Sequence, residues 1–275
     1  MEFIINDLPI YYEEHGQGKP VLCLHGFSYD MESIKGCMEP FFAGKPGYKR
    51  IYLDMPGMGK TPGADWIKNA DIMLDIFKQF IKSVIGEEGF LLAGNSYGGY
   101  MSLGLAADEE LDIEGIFLFA PVTVTDFDSR TLPECEDEDL FVEDGLEDSI
   151  PEADEDIFDD FINSAVIATT HIWQRYKKEI APGYGSYDKE FTKKYREGGY
   201  ALSFESKFKE LSFDKPVTLM VGRQDEGCGY EDQWNTLKGL PRLTFVALDR
   251  AGHLLQMEHP NTFNFHLADW LEKVK

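Results

Sequence analysis

Residues Gly94-Asn95-Ser96-Tyr97-Gly98 place a hydroxyl nucleophile between two glycines, each two positions away. The apolar run Phe90 to Ala93 leads in and reads as a short buried strand. Tyr97 through Ala107, with Met101, Leu103 and Leu105, leads out and reads as a helix. The glycines would remove Cβ atoms that block the close approach of strand and helix, so the serine can stand clear of the backbone. At a helix N-terminus, NH groups and the dipole favour a developing negative charge. The chemistry that fits is attack by Ser96 on a carbonyl carbon.

A serine hydroxyl is a weak nucleophile at neutral pH, so it needs a histidine base that a carboxylate orients. Of the six histidines, His253 is the best placed. It lies in Arg250-Ala251-Gly252-His253, after the strand pattern Leu243 to Leu248 and before a final helix that starts near Pro260. For the carboxylate, the strand pattern Val217 to Val221 runs into Gly222-Arg223-Gln224-Asp225. Open α/β sheets gather their active groups at the carboxyl ends of strands, which favours Asp225. Asp126, after the strand pattern Ile113 to Phe119, and Asp249, four residues before His253, stay open as alternatives. An oxyanion needs two backbone NH groups, and the expected donors are Tyr97 and Phe27. Phe27 lies in the loop His25-Gly26-Phe27, after the strand pattern Val21 to Leu24. His25 is expected to pack beneath that loop.

Positioning these groups requires a scaffold, and the chain patterns one. Phe3 to Ile5 and Ile10 to Glu14 read as an edge hairpin across Asn6-Asp7-Leu8-Pro9. Strands then alternate with helices near Met31 to Phe42 and over Ala70 to Ile85, where Ile72, Ile76, Phe80 and Val84 make an apolar stripe. Such alternation predicts a mostly parallel sheet covered on both faces. The alternation lapses between Val122 and Leu211 and resumes at Val217. The expected organisation is therefore a core of residues 1–121 and 212–275 with residues 122–211 inserted as a helical cap, or lid. Its aromatics, from Trp173 and Tyr176 to Phe204 and Phe208, are expected mainly to form the cap's own core.

These pieces together resemble the α/β-hydrolase superfamily, in its small serine-hydrolase branch with a helical cap. The resemblance rests on five pieces: His25-Gly26-Phe27, Asp54-Met55-Pro56-Gly57-Met58-Gly59-Lys60-Thr61, Gly94 to Gly99, Gly222 to Asp225 and Ala251-Gly252-His253. The order Ser96, Asp225, His253 is that family's order. Asn95 stands where many relatives carry histidine, and Thr61 where they carry serine. The resemblance implies an α/β-hydrolase fold and a cofactor-free serine hydrolase, with carboxylic esters of small or medium acyl groups as leading substrates. A proline iminopeptidase-like aminopeptidase, a carbon–carbon bond hydrolase and a hydrolase-derived ligand receptor stay open. Haloalkane dehalogenases and epoxide hydrolases are disfavoured, since they need an aspartate at the position of Ser96.

Composition narrows the partners. A formal charge of −24 disfavours nucleic acid, whose phosphates would be repelled. Between Asp126 and Asp160, 17 acidic residues accompany a single arginine. That stretch is expected to be a solvated and partly disordered face; an acidic rim for cationic substrates and a protein contact are the alternatives. The best apolar run, Gly115 to Val124, is about half the length of a membrane-spanning helix. With an acidic start in place of a secretory leader, a cytoplasmic protein with a small-molecule substrate is expected. Cys23, Cys37, Cys135 and Cys228 show no metal-ligand spacing, so no metal is expected, and Cys23 is expected in the core. Gly227-Cys228-Gly229 is expected to leave its loop unusually free.

Overall fold

The computed structural model describes residues 1–135 and 140–275. Strands β1 (Glu2–Ile5) and β2 (Leu8–Gly16) form the edge hairpin, turning at Asn6 and Asp7, both at positive φ. Next come β3 (Gly18–Leu24), α1 (Met31–Phe42), β4 (Gly47–Leu53), α2 (Ala70–Phe80), β5 (Phe90–Asn95), α3 (Tyr97–Ala106) and β6 (Ile113–Phe119). The following stretch contains β7 (Phe141–Val142), α4 (Glu155–Ile162), β8 (Ile167–Ala168), α5 (Thr170–Glu179), α6 (Ala181–Ser186) and α7 (Lys189–Gly198). The pattern resumes with β9 (Val217–Gly222), α8 (Tyr230–Leu237), β10 (Leu243–Leu248), α9 (Leu255–Glu258) and α10 (Pro260–Lys273).

Eight strands form one sheet in the order β1-β2-β4-β3-β5-β6-β9-β10. It is parallel from β4 to β10, and β2 joins β4 antiparallel. Strand alternation divides its side chains between two apolar layers. Leu22, Leu92 and Leu118 point into the layer shared with α2 and α3, while Cys23, Ala93 and Phe117 point into the layer shared with α1 and α10. Burial on both faces explains why the central strands read as unbroken apolar runs. No helix among the described residues is long and apolar enough to cross a membrane.

Two local details differ from the sequence reading. Residues Ile81–Ile85 continue α2 as a π-helical turn. The buried face of α2 is Met73, Leu74, Ile76, Phe77 and Phe80, with Ile72 and Val84 at its margins. A strict four-residue spacing drifts about 40° around the helix per step, so its ends leave the buried face.

Between β6 and β9 no strand among the described residues joins the main sheet; β7 and β8 pair with each other. Its aromatics divide between two clusters. Trp173 and Tyr176 join Phe158, Phe161 and Ile172, and Leu254 and Met257 complete that cluster from the other side. Phe191, Tyr195 and Phe208, with Tyr187, Tyr200 and Phe204 beside them, instead pack into the α2–α3 layer against Phe27 and Tyr97. Most of these rings therefore form a seam with the sheet's own core, which replaces the expectation of a self-contained aromatic core. A hydrogen bond of 2.7 Å between the Tyr97 and Tyr195 hydroxyls crosses the seam. In the acidic stretch Glu155, Asp156, Asp159 and Asp160 are exposed, forming a solvated face over Phe158 and Phe161. The expectation of partial disorder also covers Glu136 to Asp139, which lie outside the described residues.

Helix α3 sits unusually close to β3. A Cβ on Gly98 would lie 2.1 Å from the Leu24 carbonyl oxygen and 2.5 Å from that of His25. Backbone atoms cannot yield there as a flexible side chain would. Gly98→Ala is therefore expected to destabilise the protein by at least about 2 kcal/mol, read as a lowered urea midpoint. A wild-type midpoint would show that α3 has room to spare.

Candidate active site

Ser96 links β5 to α3 at φ 50° and ψ −119°, a backbone conformation that L-residues rarely hold without support. Its NH donates to the Phe119 carbonyl at 3.4 Å, and its own carbonyl accepts from Tyr100 N and Val122 N at 3.1 and 3.0 Å. Asn95 Nδ2 donates to the same Phe119 carbonyl at 3.1 Å. This asparagine braces the turn from below. Gly94 makes the turn possible from the strand side: a Cβ there would lie 2.7 Å from Gly98 O and Gly99 Cα.

The loop after β3 meets this turn. His25 is fully buried and rigidly placed, with Nδ1 2.7 Å from Gly26 O and Nε2 accepting from Met55 N at 3.0 Å. A donor at one ring nitrogen and an acceptor at the other define a neutral tautomer. Burial reinforces it by pushing the pKa down to about 4, against the opposing pull of the Gly26 carbonyl. His25 thus supports the loop, with no free nitrogen for proton transfer. Phe27 leaves that loop with its ring edge-on to Tyr97, centroids 5.4 Å apart. Among the described residues neither Phe27 N nor Tyr97 N donates a hydrogen bond. The Asp54 to Thr61 piece is likewise structural: the Asp54 carboxylate accepts from Met31 N and Lys60 N, both at 2.8 Å.

Asp225 and His253 leave adjacent strands. Gly222 pairs with Leu248, after which Arg223 N donates to Leu248 O and Gln224 N to Ala251 O, so the two loops run out together. Asp225 Oδ2 lies 2.9 Å from His253 Nδ1, while Oδ1 accepts from Gly227 N and Cys228 N, also at 2.9 Å. Of the other two carboxylates, Asp126 accepts from Ser129 Oγ and Asp249 from Gln224 Nε2. Among the described residues neither is hydrogen-bonded to His253. Burial works against an imidazolium at His253, but the charge and hydrogen bond of Asp225, with a smaller contribution from Cys228, outweigh it and hold the pKa well above its usual value.

Two supporting groups escaped the sequence reading. Glu258, buried, receives Gly252 N at 2.8 Å and Val166 N at 2.6 Å, tying the His253 loop to the segment before β8. Burial raises its pKa, and the backbone donors that it serves pull the other way. Glu258 follows the mixed run Leu254-Leu255-Gln256-Met257, which carries no motif that would single it out. Arg130 is the second: Nη1 donates to Gly227 O at 2.5 Å and Nε to Val124 O at 2.8 Å. A Cβ on Gly229 would meet Thr131 O at 1.8 Å. Gly229 therefore serves close packing, and Arg130 ties down the carbonyl of Gly227, where freedom was expected of this loop.

Ser96 and His253 line one cavity of about 700 Å³, together with Phe27, Tyr29, Tyr200 and Cys228. Arg130, Arg196, Asp126 and Glu197 give its wall charges of both signs. Among the described residues no hydrogen bond joins the Ser96 hydroxyl to His253, a contact that commonly tightens only when substrate binds.

With this fold and this cluster at the strand ends, the chain belongs to the alpha/beta hydrolase family, whose model matches residues 21–264. It is similar over its whole length to an alpha/beta superfamily hydrolase from Oenococcus oeni PSU-1. That crystal structure superposes with a TM-score of 0.89 at 31% identity, covering 96% of each chain. A stretch of 105 residues is 32% identical to the pimeloyl-[acyl-carrier protein] methyl ester esterase of Legionella pneumophila (strain Lens). That match spans 38% of this chain and 39% of the esterase, under half the length of either. Proline iminopeptidase from Xanthomonas citri is 24% identical over 89% of this chain and 87% of its own.

Because the Asp225 carboxylate contributes most to favouring the charged ring, Asp225→Asn is expected to lower the pKa of His253. NMR titration of the imidazole should show the variant losing its proton at a lower pH than the wild type. An unchanged midpoint would mean that the pair does not interact as its geometry implies.

Proposed function

We propose that the protein is a cofactor-free serine hydrolase that cleaves carboxylic esters of small or medium acyl groups through an acyl-enzyme. Ser96 attacks the carbonyl carbon while His253 takes its proton through Nε2, and Asp225 holds the ring with Nδ1 protonated. Phe27 N and Tyr97 N receive the oxyanion, each such donor being worth about 3–4 kcal/mol in the transition state. A water that His253 deprotonates then releases the acid. Residues 122–211 act as a cap over this site. The observation that carries the reading is the 2.9 Å contact from Asp225 Oδ2 to His253 Nδ1, on a ring that shares its cavity with the strained Ser96. The part-length likeness to a methyl ester esterase supports an ester as the bond cleaved.

An aminopeptidase of the proline iminopeptidase kind is the second reading, favoured by Asp126 and Glu197 on the cavity wall, which could hold a substrate amine. Arg130 and Arg196 on the same wall weigh against a cationic substrate. Since the base must be neutral to act, turnover should fall on the acid side as His253 takes up its proton.

Ser96→Ala is expected to lower nitrophenyl ester hydrolysis by at least about four orders of magnitude. Turnover near the wild-type rate would remove Ser96 as nucleophile. Faster release of proline from prolyl-aminoacyl dyes than of nitrophenol from esters would move the assignment to the aminopeptidase.

A further inference from the structure

Cys228 has no part in the mechanism above, yet the fold sets its thiol beside the proposed acid and base. One donor atom each from Asp225, Cys228 and His253 lies within 4.8 Å of the others. Asp225 and Cys228 are 1% and 5% exposed, and the His253 side chain 20%. Cys228 and His253 both face the cavity that holds Ser96, which gives a hydrated ion a way in. We propose that Asp225, Cys228 and His253 form a binding site for a thiophilic divalent cation of the zinc type, and that its occupancy switches the hydrolase off.

The donor set fits such an ion. A thiolate, an imidazole nitrogen and a carboxylate oxygen are ordinary zinc ligands, and three protein ligands leave a fourth position for water. In a tetrahedral zinc site the ligand atoms stand roughly 3.3–3.7 Å apart. The 2.9 Å between Asp225 Oδ2 and His253 Nδ1 would open by a few tenths of an ångström, and the sulfur would draw in. Asp225 and Cys228 already share one tight turn, in which the Cys228 NH caps the carboxylate, so two of the three ligands are held ready. Sulfur binds as thiolate and its proton leaves to solvent.

Either mode of imidazole binding removes the base. Coordination through Nε2 occupies the lone pair that would accept the Ser96 proton. Coordination through Nδ1 moves the ring proton to Nε2, with the same consequence. The thiol sets the selectivity: hard cations such as Mg²⁺ prefer the many surface carboxylates, whereas sulfur favours zinc and cadmium.

The switching rests on the serine-hydrolase reading, whereas the binding site does not, so the test has two parts. Ester turnover is titrated with Zn²⁺ or Mg²⁺, with and without EDTA, in the wild type, Cys228→Ser and Cys135→Ser. Each rate is taken relative to that variant's own metal-free rate. The expected result is reversible inhibition of the wild type and Cys135→Ser by Zn²⁺ alone. Cys228→Ser should need at least about tenfold more Zn²⁺. Separately, Cd²⁺ should produce an ultraviolet thiolate-to-metal charge-transfer band in the wild type and Cys135→Ser, and none in Cys228→Ser. Equal Zn²⁺ sensitivity in Cys228→Ser, or a Cd²⁺ band that survives that substitution, would overturn the site. If no ester is turned over, the Cd²⁺ band still decides binding, and the failure belongs to the functional assignment.

Discussion

Ser96 can hold its left-handed backbone only because three segments close around it. Gly98 lets α3 touch the carbonyls that end β3, Gly94 lets β5 touch the start of α3, and the end of β6 supplies the Phe119 carbonyl. Strain at a single residue is sustained when its surroundings over-determine it, and here the surroundings are the centre of the sheet. The same packing sets the Phe27 ring edge-on to Tyr97, the residue that follows the serine. Loosening any of these contacts would let the turn relax and carry the Ser96 hydroxyl with it.

Parallel pairing does the rest of the gathering. Strands β3, β5, β9 and β10 all run the same way, so the loops that bear Phe27, Ser96, Asp225 and His253 leave at one edge. The register of β9 on β10 then sets which carboxylate meets the imidazole. Glu258 and Arg130 each bind one of the two loops, holding it by backbone groups and leaving the Asp225–His253 contact to the side chains. The site's own polar groups are therefore positioned by side chains from other segments, Glu258 in α9 and Arg130 on the cavity wall.

The segment between β6 and β9 is joined to the sheet by aromatic rings more than by charge. Tyr195 stacks on Phe27 at 5.9 Å and Tyr200 on Tyr97 at 4.3 Å, so the wall of the cavity and the core below it share side chains. The acidic surface of α4 lies away from this seam. A net charge of −24 thus coexists with a cavity wall that includes two arginines, because excess charge is cheapest where water screens it.

Much of this was legible in the residues themselves. Apolar runs and glycine spacing define the strands, the turn at Ser96 and the loops at His25 and His253, because these depend on local backbone preference and burial. The chain alone also determined the order of nucleophile, acid and base candidates. It also favoured Asp225 over Asp126 and Asp249 by its place at a strand end, but each follows a strand, and it is pairing across the sheet that brings Asp225 to the imidazole. The support from Glu258, the clamp from Arg130 and the nearness of Cys228 to His253 likewise belong to the tertiary structure alone. Their partners lie 6, 97 and 25 residues away in the chain, and no periodicity encodes a contact between two loops.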